Sequence, residues 1–331
     1  MKKIYSLFII LFLASTLVNA QEEIKFSQLS NSNFESYNMA NTTNGKFIYK
    51  SGGQTYSFKG NIDAIETYNP ADDTWKIIGQ GLVARSEHNI EYVPSLNKLY
   101  IFNGEYSPTN TFNPSRQLYA SRSTKIKMTD VIEIIDLNTN TVSITESNPY
   151  PVSNAGSAVW NNKIYFFGGW NPMGYSDRFY EYDPEKDDWE ELDEMPESKR
   201  VEGKIVDGVL YTIGGYDNGT SGFKTIHAYD FKTEKWSLVM EMPVGVSAHA
   251  LASDGRNIWI VGNYTNVNFL AAFDTKTKSF KTFKSNMQGR RFAGAEVIGT
   301  TLYVFGGNDS DDRRSVISST QCADISKYLK D

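Results

Sequence analysis

The sequence predicts an all-β protein, a six-bladed β-propeller of four-stranded blades closed by an N-terminal strand joining the last blade. Two landmarks predict it, because each recurs along the chain in register with the other, and the two ends of the chain look complementary. Self-similarity at a fixed period marks folds in which one unit can bury its apolar face only against its neighbours.

The first landmark is a short apolar run carrying an aromatic residue three positions before a glycine pair or its remnant. It appears at Tyr49 before Gly52-Gly53, Tyr100 before Asn103-Gly104 and Tyr165 before Gly168-Gly169. It returns at Tyr211 before Gly214-Gly215, Trp259 before Gly262-Asn263 and Tyr303 before Gly306-Gly307. The runs are β-branched and aromatic, as in Lys163-Ile164-Tyr165-Phe166-Phe167, which suits a strand buried on both faces. Glycine ends each run because the chain there needs positive φ or close backbone approach.

The second landmark is a strand ending in an aromatic or aliphatic residue plus Asp or Asn, then a polar turn, then a large apolar residue. It reads Tyr68-Asn69 to Trp75, Ile135-Asp136 to Val142, Tyr182-Asp183 to Trp189, Tyr229-Asp230 to Trp236 and Phe273-Asp274 to Phe280. That spacing makes a hairpin, with turn formers such as Pro184-Glu185-Lys186 between the strands. The unit repeats about every 50 residues and holds four strands.

This arrangement resembles the kelch-repeat family, whose blades carry a Gly-Gly after the second strand and a Tyr-Asp-Pro turn leading to tryptophan. The resemblance spans residues 21–331 and implies one six-bladed propeller domain. Blade two departs most, with Asn103 for the first glycine, Val142 for the tryptophan and an insertion near residues 105–129. The sixth copy reaches Cys322-Ala323-Asp324-Ile325 without a fourth strand. Ile24-Lys25-Phe26-Ser27-Gln28-Leu29 is expected to supply it, with Phe26 in the tryptophan position. Such closure removes an open sheet edge.

Residues 1–20 read as a cleavable secretory signal: Lys2 and Lys3, an apolar run from Leu7 to Ala14, then Val18-Asn19-Ala20. The run is too short to span a bilayer, and Gln21 offers no cysteine for a lipid anchor. A periplasmic or secreted protein is expected, without a membrane span and monomeric. The net charge of −6 disfavours nucleic acid as a partner. Cys322 is the single cysteine, so stability must come from packing, and a small buried filler is its expected role.

Strand parity puts the loops after the second strands and the starts of the first strands on one face. Counting back from the glycines aligns Arg85-Ser86-Glu87-His88, Arg200-Val201-Glu202-Gly203, Val246-Ser247-Ala248-His249 and Arg291-Phe292-Ala293-Gly294. Arg85, Glu87, His88, Arg200, Glu202, His249 and Arg291 are the candidate ligand-binding residues there. The arginines would grip a small anionic sugar or similar molecule through charge-assisted hydrogen bonds. The competing role for the arginines is structural, satisfying buried carbonyls and carboxylates. Trp170 and Tyr216, with Tyr106, Tyr119 and Tyr175, are loop aromatics suited to stacking on a sugar or contacting a protein.

Catalytic constellations are missing from the sequence: no His-Glu-x-x-His, no Gly-x-Ser-x-Gly and no phosphate-cradling loop. Neither a cofactor nor a metal is expected; the run Asn308 to Asp312 lacks the spaced glycine and distal glutamate of a calcium loop. The expected function is a binding module presenting one face to a protein or glycan. The chain is also similar to bacterial periplasmic sialic acid mutarotases in signal peptide, single kelch domain and six blades. That likeness implies a sugar isomerase as the alternative, with Glu87 or Glu202 and His88 or His249 as acid and base.

Overall fold

The computed structural model describes residues 22–56, 60–106, 111–112, 127–145, 148–219, 221–310, 312 and 314–329. The expected signal and Tyr119 lie outside the described residues, as does most of the blade-two insertion. Among the described residues the chain is all-β. No helix there is long and apolar enough to cross a membrane.

Six antiparallel four-stranded sheets follow one another. Sheet one takes Ala40–Thr43, Ile48–Ser51, Ala64–Asn69 and Thr74–Gln80 in spatial order, and sheet two Asn89–Val93, Lys98–Phe102, Ile132–Asp136 and Thr141–Thr145. Sheet three comprises Gly156–Trp160, Lys163–Phe167, Phe179–Asp183 and Asp188–Leu192; sheet four Arg200–Val206, Val209–Tyr216, Phe223–Asp230 and Lys235–Val246. Sheet five runs through Ala250–Ser253, Asn257–Val261, Leu270–Asp274 and Ser279–Thr282. Sheet six has Gly294–Ile298, Thr301–Phe305 and Thr320–Asp324, with Ser27–Leu29 as its outer strand.

The apolar runs of the first landmark are the second strands, and those of the second landmark form the outer hairpins. Tyr68 sits opposite Trp75, Ile135 opposite Val142, Tyr182 opposite Trp189, Tyr229 opposite Trp236 and Phe273 opposite Phe280. Directly opposed aromatic and β-branched pairs are the unit of sheet stabilisation. The core is divided into six clusters, one at each seam between neighbouring sheets. Tyr68, Trp75, Tyr303 and Phe305 fill the seam of sheets six and one, where the Trp75 Nε1 donates to Thr320 Oγ1 at 3.0 Å. First strands lie beside one another in chain order, and Gly294–Ile298 also lies against Ala40–Thr43.

The N-terminal segment differs from the single spare strand expected over 24–29. Glu23–Ile24 pairs in parallel with Lys284–Ser285 of the chain beyond sheet five, and only Ser27–Leu29 pairs with Thr320–Cys322 of sheet six. The break has a clear cause. The Phe26 backbone N–H donates to Asn286 Oδ1 at 2.7 Å, and Asn286 Nδ2 donates back to the Phe26 carbonyl at 3.0 Å. Phe26 itself is buried with Ile24 in the seam of sheets five and six. Cys322 is half-buried and free.

Candidate functional site

The glycine pairs fix which residues are equivalent where each sheet begins. A Cβ on Gly52 would meet the Arg85 carbonyl at 2.5 Å, one on Gly168 the Lys199 carbonyl at 2.5 Å, and one on Gly262 the Arg290 carbonyl at 2.0 Å. Arg85, Lys199 and Arg290 therefore occupy one position in sheets two, four and six. Arg200 and Arg291 stand one residue further on, equivalent to Ser86. The alignment by counting was off by one in sheets four and six; the first hairpins differ in length, with four turn residues at Pro94–Asn97 against two at Asp207–Gly208, and a bulge adds a residue in sheet four.

The three equivalent cations are sealed inside. Arg85 donates to the carbonyls of Asn103 and Val131 and pairs with Glu133 Oε2 at 2.7 Å; Lys199 pairs with Glu197 at 2.6 Å. Arg290 spends its donors on the carbonyls of Gly306 and Ser319 and on Gln321. These groups join neighbouring strands and close buried carbonyls. Arg85 is thus bonded within the fold and does not line the cavity described next. Arg291 is also set back: buried, it donates to Asn308 Oδ1 at 3.3 Å and lies 4.7 Å from the Tyr264 ring.

All but one of the remaining candidates converge on a cavity of about 460 Å³ at the starts of the first strands. Glu87, His88, Arg200, Glu202, Tyr216 and His249 line it, together with Tyr264 and Phe292, which the sequence reading missed. Trp170 does not line it. It stands behind Arg200, whose guanidinium lies 5.4 Å from the indole ring. Tyr216 is braced edge-on by Tyr175, and Tyr106 pairs through its backbone with Arg85 away from the cavity.

A backbone relay shapes the rim. Phe292 N–H donates to Ala248 O, Asn38 N–H to Phe292 O, Glu87 N–H to Asn38 O and Asn154 N–H to Glu87 O, at 2.7 to 3.0 Å. All five residues have φ between 49° and 55°. Non-glycine residues held there cost on the order of 1–3 kcal/mol each and cluster at ligand sites. Among the described residues the relay is interrupted at sheet four, where a bulge falls between Arg200 and Glu202.

Several side chains that line this cavity carry polar atoms without a hydrogen bond of ordinary geometry. Glu87 Oε2, His88 Nδ1, Arg200 Nε and both ring nitrogens of His249 are buried and make no hydrogen bond of ordinary geometry, although the Ile213 carbonyl favours a proton on His249. Burial holds His249 down at about 4 and His88 well below the usual imidazole range, so both rings are neutral at pH 7. Burial, and then the neighbouring Glu105, raise the Glu87 carboxyl; Arg200, 3.6 Å away, works against the rise. Glu202 is open to the solvent of the cavity yet enclosed by protein, and this confinement pushes it up to about 7 against the pull of Lys204.

A narrower shaft continues from the cavity between the first strands, lined by Glu91, Ser157 and Lys204 and shared with Glu202, His88 and His249. Glu91 accepts from Ser157 Oγ at 2.6 Å, and Glu296 from Asn41 Nδ2 at 2.7 Å. Desolvation works against charge on Lys204, but Glu296, Glu91 and Glu202 more than offset it and raise the ammonium. Among the described residues no cluster of three or more His, Cys, Asp or Glu is placed to hold a metal ion.

Comparison with known proteins fits this architecture. The KLHDC2/KLHL20/DRC7 Kelch-repeats domain model matches residues 38–263, from the rim of sheet one into sheet five. The chain belongs to the kelch-repeat family. It is 29% identical over 151 residues to Kelch repeat and BTB domain-containing protein 2 of cowpox virus, covering 43% of this chain and 27% of that protein. It is 26% identical over 211 residues to Kelch-like protein terF of Aspergillus terreus, covering 56% and 45%, and 28% identical over 122 residues to human Kelch-like protein 23, covering 36% and 21%. The chain thus spans less than half the length of these relatives.

Proposed function

We propose that the protein is a binding module in which the six sheets are the blades of one closed propeller and the axial cavity receives part of a protein or glycan ligand. The observation that carries this reading is the convergence of Glu87, His88, Arg200, Glu202 and His249, from the starts of sheets two, four and five, on a cavity of ligand size. The test is a screen of glycans and peptides by thermal shift, in which a ligand at 100 times its Kd adds about 2.7 kcal/mol. Hits should lose their effect in Ala293→Trp, which fills the cavity. Hits indifferent to that substitution would place binding elsewhere.

Export belongs to the same proposal: residues 1–20 direct secretion to the periplasm or medium, and N-terminal sequencing of the exported protein should begin at Gln21. The exported form should run as a monomer in mass photometry. A second reading, a sugar mutarotase or epimerase, is favoured by Glu202 alone, a carboxyl poised near 7 on the cavity wall as acid–base work requires. Exchange spectroscopy on free sugars tests it, since catalysed interconversion of anomers must vanish in Glu202→Gln.

A further inference from the structure

The charges around the cavity do not balance. At the rim Arg200 is matched by Glu87, with Glu105 behind it. In the shaft the single ammonium of Lys204 stands among Glu91, Glu202 and Glu296. Arg85 and Lys199, behind His88 and His249, are already paired with Glu133 and Glu197. The surplus is carboxylate, and it centres on Glu202, whose side chain makes no hydrogen bond or ion pair among the described residues and lines both the cavity and the shaft.

A second observation points the same way. His249 is 6% exposed, lines both spaces, and carries ring nitrogens without an ordinary hydrogen-bond partner. A neutral imidazole offers a lone pair to an incoming N–H group. Tyr216, Tyr264 and Phe292 line the same cavity; the Tyr264 ring already carries the Arg291 guanidinium, which leaves Tyr216 and Phe292 as aromatic faces that attract a cation. Arg200, the cation that a search for an anion site would favour, is occupied by Glu87 on one side and Trp170 on the other.

Resting on the reading of the cavity as a ligand site, we propose that the group it takes is a primary ammonium, held by the Glu202 carboxylate and the His249 ring beneath an aromatic mouth. That group has two sources, a lysine side chain of a protein partner or a free amine such as an amino sugar.

The experiment titrates the purified protein by calorimetry with four matched probes and one anion. These are a short N-terminally acetylated lysine peptide and its ε-acetylated form, glucosamine and N-acetylglucosamine, and glucuronate. The expected result is binding of the peptide or glucosamine, no binding of its acetylated form, and a loss of roughly 10- to 100-fold in affinity in Glu202→Gln, the worth of a hydrogen bond to a charged group. The peptide and glucosamine arms tell the two sources apart. Should the variant fail to fold, each amine against its acetylated form on the native protein still decides. Binding of glucuronate or N-acetylglucosamine that Ala293→Trp abolishes, with no binding of amines, overturns the ammonium assignment and leaves the cavity as a ligand site. Amine binding that neither Glu202→Gln nor Ala293→Trp changes overturns it too, and so does silence from every probe at millimolar concentration.

Discussion

Arg85 and Arg200 differ at the residue scale in how deeply they are buried and how tightly they are paired. Arg85 is 1% exposed and its ion pair with Glu133 is equally enclosed, so Arg85→Ala leaves a buried carboxylate unpaired. The expected loss is about 3–5 kcal/mol, read as a lower urea midpoint. Arg200 has a partly exposed side chain and a 3.6 Å pair, so Arg200→Ala is expected to cost less than about 1 kcal/mol. Equal losses in the two variants would contradict the assignment. The sequence led to the expectation of charged residues where the first strands start; it did not show which of them line the cavity, because hairpins of unequal length and the bulge in sheet four displace the count. Tyr264 and Phe292 escaped for another reason. Phe292 faces the cavity through a left-handed backbone that no sequence pattern announces, and Tyr264 follows a pair, Gly262-Asn263, read only as a landmark.

Glu202 carries a pH signature at the same scale. Its carboxyl titrates near 7 in the folded protein against about 4.5 ordinarily. Between those values the folded state holds a proton that the unfolded state has released, so stability falls as pH rises through that window. Glu202→Gln should therefore raise the melting temperature at pH 8 more than at pH 4.5. A variant with the same gain at both values would show that confinement does not raise the group.

At the scale of the element, the glycine that ends each second strand serves two needs that can be separated. Gly262 has φ of 73° and no room for a Cβ, which would lie 2.0 Å from the Arg290 carbonyl; Gly255 has φ of 88° and open space around it. Gly255→Ala should cost about 1–2 kcal/mol for the left-handed backbone alone. Gly262→Ala should cost clearly more, because the backbone of the next sheet must also retreat, and denaturant melts of the two variants compare them directly. The strands themselves were legible because the continuous apolar runs mark strands buried on both faces, and the spacing from Tyr182 to Trp189 fixes a hairpin register without tertiary information. The N-terminal strand was legible only in part. Its interruption at Phe26 depends on the side chain of Asn286, some 260 residues away, and a linear reading has no access to such a partner.

For the whole molecule, the proposed ring depends on how the chain's first described residues meet its last. Ser27–Leu29 completes sheet six, while Ile24 and Phe26 are buried in the seam of sheets five and six. Deleting residues 22–30 removes these two side chains, worth roughly 1.5–3 kcal/mol each, and exposes the edge of Thr320–Asp324 to other chains. A loss of about 3–6 kcal/mol is large against whole-domain stabilities of about 5–15 kcal/mol. The deleted protein should melt far below the full-length form or aggregate as it refolds. The double variant Ile24→Ser with Phe26→Ser separates the two effects, since it keeps the paired backbone of Ser27–Leu29 and loses only the buried area. If closure of the sheet edge matters in its own right, the deletion will aggregate where the double variant is merely less stable. If both behave alike under light scattering, the N-terminal strand adds packing only, and the ring is held by its seams.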